Sequence, residues 1–377
     1  MRIVFVLPNS DPSGGVRTVA TYGRLLKHRG HQVTLVSPPP ARPRLWAQLR
    51  SLVSGRGWIQ RPAPREGPIE GLEVEHRQLE RWRPVTDADV PDADVVVATW
   101  WETAEWVAAL SPRKGAKVQF IQGHEVLPAW PRRLQDRFEA SWTLPLHRIA
   151  CSRWVAELAR TRYGHADVWC VPNGVDVRHF DAGPRGKQDG PTVGFVYSEA
   201  PIKGCDVAVE AFRRAVTQLP KLRLVSFGLE PASPALPLPA GAELLVSPSQ
   251  AEIPHLYARC DAWLWPSRRE GFGLPILEAM ACRTPVIAAP AGAAPELLAE
   301  GGGVLLDAAD PTAMAAAIVR VCSLPEARWR ELSEEARAIA GRHGWERSVV
   351  LFEAALEAAI AGDRPAQGYG AASGVPR

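Results

Sequence analysis

The stretch RREGFGLPILEAMACRTPVIA, residues 268–288, carries one glutamate just before a Gly-Phe-Gly turn and a second eight positions later. Ahead of it, Ala262, Trp263, Leu264 and Trp265 read as a buried strand that Pro266 ends. Pro275 suits the first turn of a helix, where its missing N–H has no partner to lose. Glu270, Gly271, Phe272 and Gly273 therefore fall on a loop at the carboxyl end of a parallel strand, with Leu274 opening the helix and Glu278 one turn inside it. Open α/β sheets bind ligands at such strand ends. Glycines let the backbone approach an anion closely, and the helix start adds unpaired N–H groups and a positive dipole end, so a phosphate is well held there. A carboxylate at Glu278 can accept both hydrogens of a ribose diol, while Glu270 can grip sugar hydroxyls or face positive charge developing on a sugar ring. A dinucleotide cofactor is the rival reading. It ranks lower because the third glycine of G-x-G-x-x-G is Ile276 and the element opens no N-terminal βαβ unit.

Outward from this stretch, short β-rich runs alternate with amphipathic helical runs, the pattern of parallel sheets covered by helices. Residues 3–7, a glycine-containing loop, a helix over about 16–27 and a strand over 32–36 form one βαβ unit. Further strands are expected at 95–98, 118–121, 147–150 and 168–171, with Ser152 as N-cap of a helix through Tyr163. After the polar, glycine-rich 183–191, read as a linker, a second series places strands near 193–196, 222–227, 243–246, 262–265 and 285–288. The expected organisation is an α/β chain of two Rossmann-like domains, 1–180 and 190–343. A helix at 344–361 follows, packing back on the first domain, and a disordered tail at 362–377.

The chain has 377 residues, 46% hydrophobic, and a formal charge of +3, enough material for two domains. Six lysines stand against 38 arginines, a compositional bias that the acids nearly balance, so no nucleic-acid partner is expected. Six scattered cysteines without a CxxC pair read as buried thiols in a reducing, cytoplasmic compartment. No apolar run is long enough to span a membrane.

With the two glutamates and the Gly-Phe-Gly-Leu-Pro between them, the sequence resembles the retaining glycosyltransferases of family 4. These have the GT-B fold of two facing Rossmann-like domains and an E-x7-E motif. The likeness runs over roughly 3–360 and is strongest over 257–298. The resemblance implies transfer of a sugar from a nucleoside-diphosphate sugar to an acceptor hydroxyl, with retention of configuration and no metal or other cofactor. It implies donor-binding roles for Gly14 and Gly15 in PSGGVRTV, Lys203, Glu270, Gly271, Phe272, Gly273, Leu274 and Glu278. Catalytic roles fall on Glu270, His124 and Lys203, His124 matching the histidine that contacts the donor sugar. Asn173, Gly174 and Asp176 in VPNGVD match a further signature, whose Asn-Gly reads as conformational. For Gly14 and Gly15 the bland alternative is an ordinary turn and helix start, and for His124 a structural histidine.

Lys203 stands in IKGCD among very few lysines, a compact charge suited to a diphosphate. Family members also carry an arginine five residues earlier, where this chain has Ser198, so another cation must share the diphosphate; Arg17, Arg268 and Arg269 are candidates. Asp87-Ala88-Asp89 has the D-x-D form of a metal motif but reads as a surface turn bounded by proline. The donor base is expected near 247–252. Trp100, Trp101 and Trp106 either stack on sugars or fill core, the commoner fate. An epimerase or phosphorylase on the same scaffold, or a non-catalytic nucleotide-sugar binder, remains an alternative. Residues 41–65, with six arginines, two tryptophans and no acid, read either as a solvated loop and short helix or as a peripheral contact with an anionic membrane bearing a lipid-linked acceptor.

Overall fold

Strands that are apolar at every position, such as VVVA at Val95–Ala98 and AWLW at Ala262–Trp265, belong in parallel sheets covered on both faces. The computed structural model, which describes residues 1–11, 13–40, 73–124 and 130–363, contains two such sheets. The first holds β1 (Arg2–Val6), β2 (Gln32–Ser37), β3 (Glu75–Gln78), β4 (Val95–Ala98), β5 (Ala116–Ile121), β6 (His147–Ala150) and β7 (Val168–Cys170), in the order β3-β2-β1-β4-β5-β6-β7. The second holds β8 (Thr192–Tyr197), β9 (Arg223–Gly228), β10 (Glu243–Val246), β11 (Ala262–Trp265), β12 (Val286–Ala288) and β13 (Gly303–Leu305), in the order β10-β9-β8-β11-β12-β13. All pairings are parallel. The strand order reverses between β1 and β4 in one sheet and between β8 and β11 in the other, which opens a crevice at the carboxyl ends there.

The segment between the domains differs from a loose linker. Arg185 donates to the Cys260 carbonyl at 2.7 Å and the Thr284 hydroxyl at 2.8 Å, and lies over the Trp329 ring. Lys187 donates to the carbonyls of Cys322 and Leu324. Both cations thus bind 185–187 to the second domain. The Asn-Gly of VPNGVD has a steric reason: a Cβ on Gly174 would lie 2.5 Å from the Trp345 nitrogen, where the chain crosses back. Val175 forms a parallel bridge with Gly344 at that crossing.

The helix Trp345–Ala361 then lies on the first domain. Phe352 packs on Tyr22, Phe120 and Phe5, with ring centroids 4.4, 5.1 and 6.0 Å away, while Glu353 bonds His31 at 2.6 Å and pairs with Arg29. All six cysteines are free thiols, five of them buried. The basic segment 41–65 and the tail from 364 onward lie outside the described residues. No helix among the described residues is long and apolar enough to cross a membrane.

Candidate active site

The loops after β8 and β11 flank the reversal point of the second sheet, and each brings one predicted residue there. Lys203, at the end of a 3-10 turn over Pro201–Lys203, places Nζ 2.7 Å from Glu270 Oε1. The Ser267 hydroxyl donates to the same oxygen at 2.9 Å. Glu270 is buried at 8% exposure, whereas the lysine side chain remains 40% exposed. Gly204 follows with φ 65°, and a Cβ there would come within 2.0 Å of the Pro266 carbonyl oxygen, which explains the Lys-Gly pair. Arg268 joins the two loops: its N–H donates to Ile202 at 2.8 Å, its guanidinium to Pro201 at 2.8 Å, and it grips Asp206 with both nitrogens. This arginine, a candidate for the diphosphate, is committed to holding the loops instead.

The Gly-Phe-Gly turn is occupied differently from the expected open cradle. A Cβ on Gly271 would lie 1.6 Å from the carbonyl oxygen of Gln122 in the first domain. The Gly271 carbonyl accepts the Ser152 hydroxyl at 2.8 Å and the Trp154 indole N–H at 2.7 Å. Ser152 stands at the N-cap position of the helix Arg153–Tyr163, yet its hydroxyl makes no cap bond because it reaches across the domain boundary. Phe272 is buried, and its carbonyl accepts the Ala293 N–H at 2.7 Å. Gly273 has φ 97° and opens the helix Leu274–Ala281, whose first N–H groups carry no side-chain cap. Gly271 thus admits the other domain, while the uncapped helix start stays suited to an anion.

Glu278 lies half-buried on that helix and accepts the Tyr257 hydroxyl at 2.7 Å. Burial pushes its carboxyl up to about 7, opposed by the Tyr257 bond and the positive charge of Arg17 from the first domain. Because folding raises this affinity for a proton, the stability tied to the protonated form is present in acid and lost as pH rises through about 7. Glu278→Gln is therefore expected to stabilise the ligand-free protein by about 2 kcal/mol near pH 8 and by little near pH 5. Thermal unfolding across that range checks it: a gap between variant and parent that does not widen with pH contradicts the assignment.

On the first domain, Gly14 and Gly15 form the first residues of the helix Gly14–His28 rather than a loop before it, with the Ser13 hydroxyl accepting from Val16 N–H. Gly14 has open space where a Cβ would stand, and Gly15 faces the Gln122 amide at 3.3 Å. His124 is buried with Nε2 2.8 Å from the Tyr163 hydroxyl, which donates to Glu139 at 2.7 Å. Burial and then the charge of Arg162 push the imidazole below its ordinary range. The structure therefore brings Lys203 and Glu270 into contact, sets Glu278 one turn beyond the Gly-Phe-Gly turn, and holds His124 in an aromatic pocket of the first domain.

Several remaining candidates have other employment. The Ser198 hydroxyl accepts the Ala200 N–H at 3.2 Å, closing a turn. Asp89 takes both guanidinium nitrogens of Arg83, at 2.6 and 2.7 Å, and Asp87 accepts the Ser111 N–H. Trp101 and Trp106 are buried core, and Trp100 is half-buried. Ser247, at the end of β10, sits at φ 51°, an unusual conformation for a serine, in the region expected to meet the donor base. Gln122, Glu139, Trp154, Tyr163, Tyr257 and Ser267 were not legible as site residues; the first five act through a partner distant in sequence or through the backbone. Ser267 alone carried a signal, standing three residues before Glu270 on the same loop.

Two family models cover the chain in succession: Glycosyltransferase Family 4 matches residues 12–179, and Glycosyl transferases group 1 matches residues 178–339. The D-inositol 3-phosphate glycosyltransferase of Segniliparus rotundus is 32% identical over 225 residues, 54% of this chain and 50% of that protein. The chain thus spans about half the length of that relative. The phosphatidyl-myo-inositol mannosyltransferase of Mycolicibacterium smegmatis is 29% identical over 93% of this chain and 91% of its own. Among solved structures, Anabaena Alr3699/HepE in complex with UDP superposes with a TM-score of 0.67 at 18% identity, covering 95% of this chain and 99% of that one, a likeness of fold. Two parallel α/β sheets facing one another in this way are the GT-B fold.

Proposed function

This chain belongs to glycosyltransferase family 4, and from that premise we propose that it transfers a sugar from a nucleoside-diphosphate sugar to an acceptor hydroxyl with retention of configuration. The observation that carries the reading is the Lys203–Glu270 contact of 2.7 Å at the reversal point of the second sheet, with Glu278 on the helix just beyond it. Lys203 and the uncapped helix start bind the leaving diphosphate, and preorganised positive charge there lowers the barrier as the bond to the sugar breaks. Arg17, whose charge falls on Glu278, supplies from the first domain the cation that Ser198 cannot. The amides of Gly14 and Gly15 complete the anion site. Glu278 accepts from the ribose, Glu270 from sugar hydroxyls, and His124 meets the sugar from the opposite domain. With this cation set the proposed reaction uses no metal.

The acceptor is proposed to bind the first domain. Its proposed class is a lipid-linked hydroxyl, in keeping with the lipid named for the Mycolicibacterium relative, at the inner face of a bacterial membrane. The experiment is release of nucleoside diphosphate from UDP, GDP, dTDP and ADP sugars, with soluble alcohols or lipid-linked acceptors in anionic vesicles, with and without a chelator. Acceptor-dependent release that survives the chelator is expected, and its absence with every donor overturns the reading. In the same assay Glu278→Gln should weaken both donor and free diphosphate, whereas Glu270→Gln should spare the diphosphate and damage transfer. Equal loss of diphosphate binding in the two variants contradicts these roles.

A further inference from the structure

We infer that Tyr163 and Glu139 are positioning residues that hold His124 as the neutral Nε2–H tautomer, with Nδ1 unprotonated. The chain of donors allows one arrangement. An ionised carboxylate has only lone pairs to offer, so the 2.7 Å contact between the Tyr163 hydroxyl and Glu139 Oε2 takes the phenol hydrogen. Burial and that same bond keep the phenol protonated by pushing its pKa upward. With its one hydrogen committed, the phenol oxygen can only accept from His124 Nε2 at 2.8 Å, and the imidazole proton must sit on that nitrogen. Burial, with the cations Arg162 and Arg269, discourages a second proton on the ring and outweighs Glu139 and the histidine's own backbone carbonyl, which favour one.

The surroundings make this arrangement rigid. The Trp142 ring stacks on Tyr163 at 4.3 Å and 8°, Phe138 meets the imidazole edge-on at 5.0 Å, and Arg162 pairs with Glu139 at 2.8 Å while lying over the Tyr163 ring. These partners come from the helix Arg132–Ser141 with its C-cap Trp142 and from the helix Arg153–Tyr163, and the tyrosine-to-carboxylate bond links the two helices. The histidine stands next to the segment that touches the Gly-Phe-Gly turn: a Cβ on Gly271 would meet Gln122 O and the Gly123 Cα. Any effect of this tautomer on donor turnover rests on the glycosyl-transfer reading.

The tautomer itself is tested without any activity. In protein labelled with 15N-histidine, the His124 signals, assigned by their loss in His124→Gln, should show a protonated Nε2 and a bare Nδ1 at neutral pH. A protonated Nδ1 in the parent protein overturns the inference. Glu139→Gln offers the phenol an amide N–H and releases its hydrogen toward Nε2, so an Nδ1–H signal should appear. In Tyr163→Phe the two tautomers should mix, donor kcat/KM should fall roughly tenfold with the affinity for free nucleoside diphosphate unchanged, and the acid limb of the pH profile should move. Unchanged tautomer populations in both variants overturn the relay even if transfer is normal. A parent enzyme with the expected tautomer but no transfer would refute the proposed function and leave the relay standing.

Discussion

Lys203→Ala is expected to lower kcat/KM by roughly 30- to 150-fold, about 2 to 3 kcal/mol of transition-state binding. Two losses combine. The leaving diphosphate forfeits a charge-assisted contact, and the buried Glu270 keeps Ser267 as its remaining partner on the oxygen that the lysine shared. The lysine side chain is 40% exposed, so its removal should cost the fold little, and a changed unfolding temperature would not account for the kinetic loss. Lys203→Arg should restore only part of the rate, because a planar fork cannot occupy the point position behind the tight Gly204 turn. The affinity for free nucleoside diphosphate, measured by titration, should fall in step with turnover. Parent rates in Lys203→Ala would remove this residue from the site.

Gly271→Ala is expected to be as damaging by a different route. The added methyl would lie 1.6 Å from the Gln122 carbonyl, a backbone atom that cannot turn aside, so relief comes from parting the two domains or displacing the turn. Parting would break the Ser152 and Trp154 bonds to the Gly271 carbonyl and strain the Arg153–Glu296 pair. In the proposed mechanism closure completes the site: the second domain holds the diphosphate through Lys203 and the helix start, and the first adds Arg17 and the Gly14 and Gly15 amides, so kcat should fall roughly 100-fold and diphosphate affinity by clearly less. Trp154 fluorescence should report the lost indole bond. Normal kcat in Gly271→Ala would mean that the contact seen here is not needed for turnover.

The strands at Val95–Ala98, His147–Ala150, Glu243–Val246 and Ala262–Trp265 were legible to the residue, most clearly where burial on both faces demands an apolar side chain at nearly every position. β3, reading EHRQ, and β13, reading GVL, were not, because the first has no apolar residue to mark a buried face and the second only two. Pro275 and the glycine before Leu274 marked the helix start, since those backbone requirements are local. The two glutamates were legible as a pair because one loop and one helix turn separate them.

Whatever depended on which strand lies beside which was closed to the sequence. Lys203 and Glu270 are 67 residues apart and meet because β11 lies next to β8, a choice made by long-range packing and loop closure that no local pattern encodes. Ser152 had the features of a helix cap, and only the facing domain turned its hydroxyl toward Gly271. Gly271 read as a place where the backbone can approach a phosphate, and only the facing domain showed that its missing side chain also admits Gln122. The sequence by itself determined the two-domain parallel architecture and the residue types of the site, because burial patterns and turn chemistry are local. The tertiary structure decided the partners of Lys203, Arg268, Gly271 and His124, because hydrogen bonds reach only about 3 Å and depend on how distant segments are brought together.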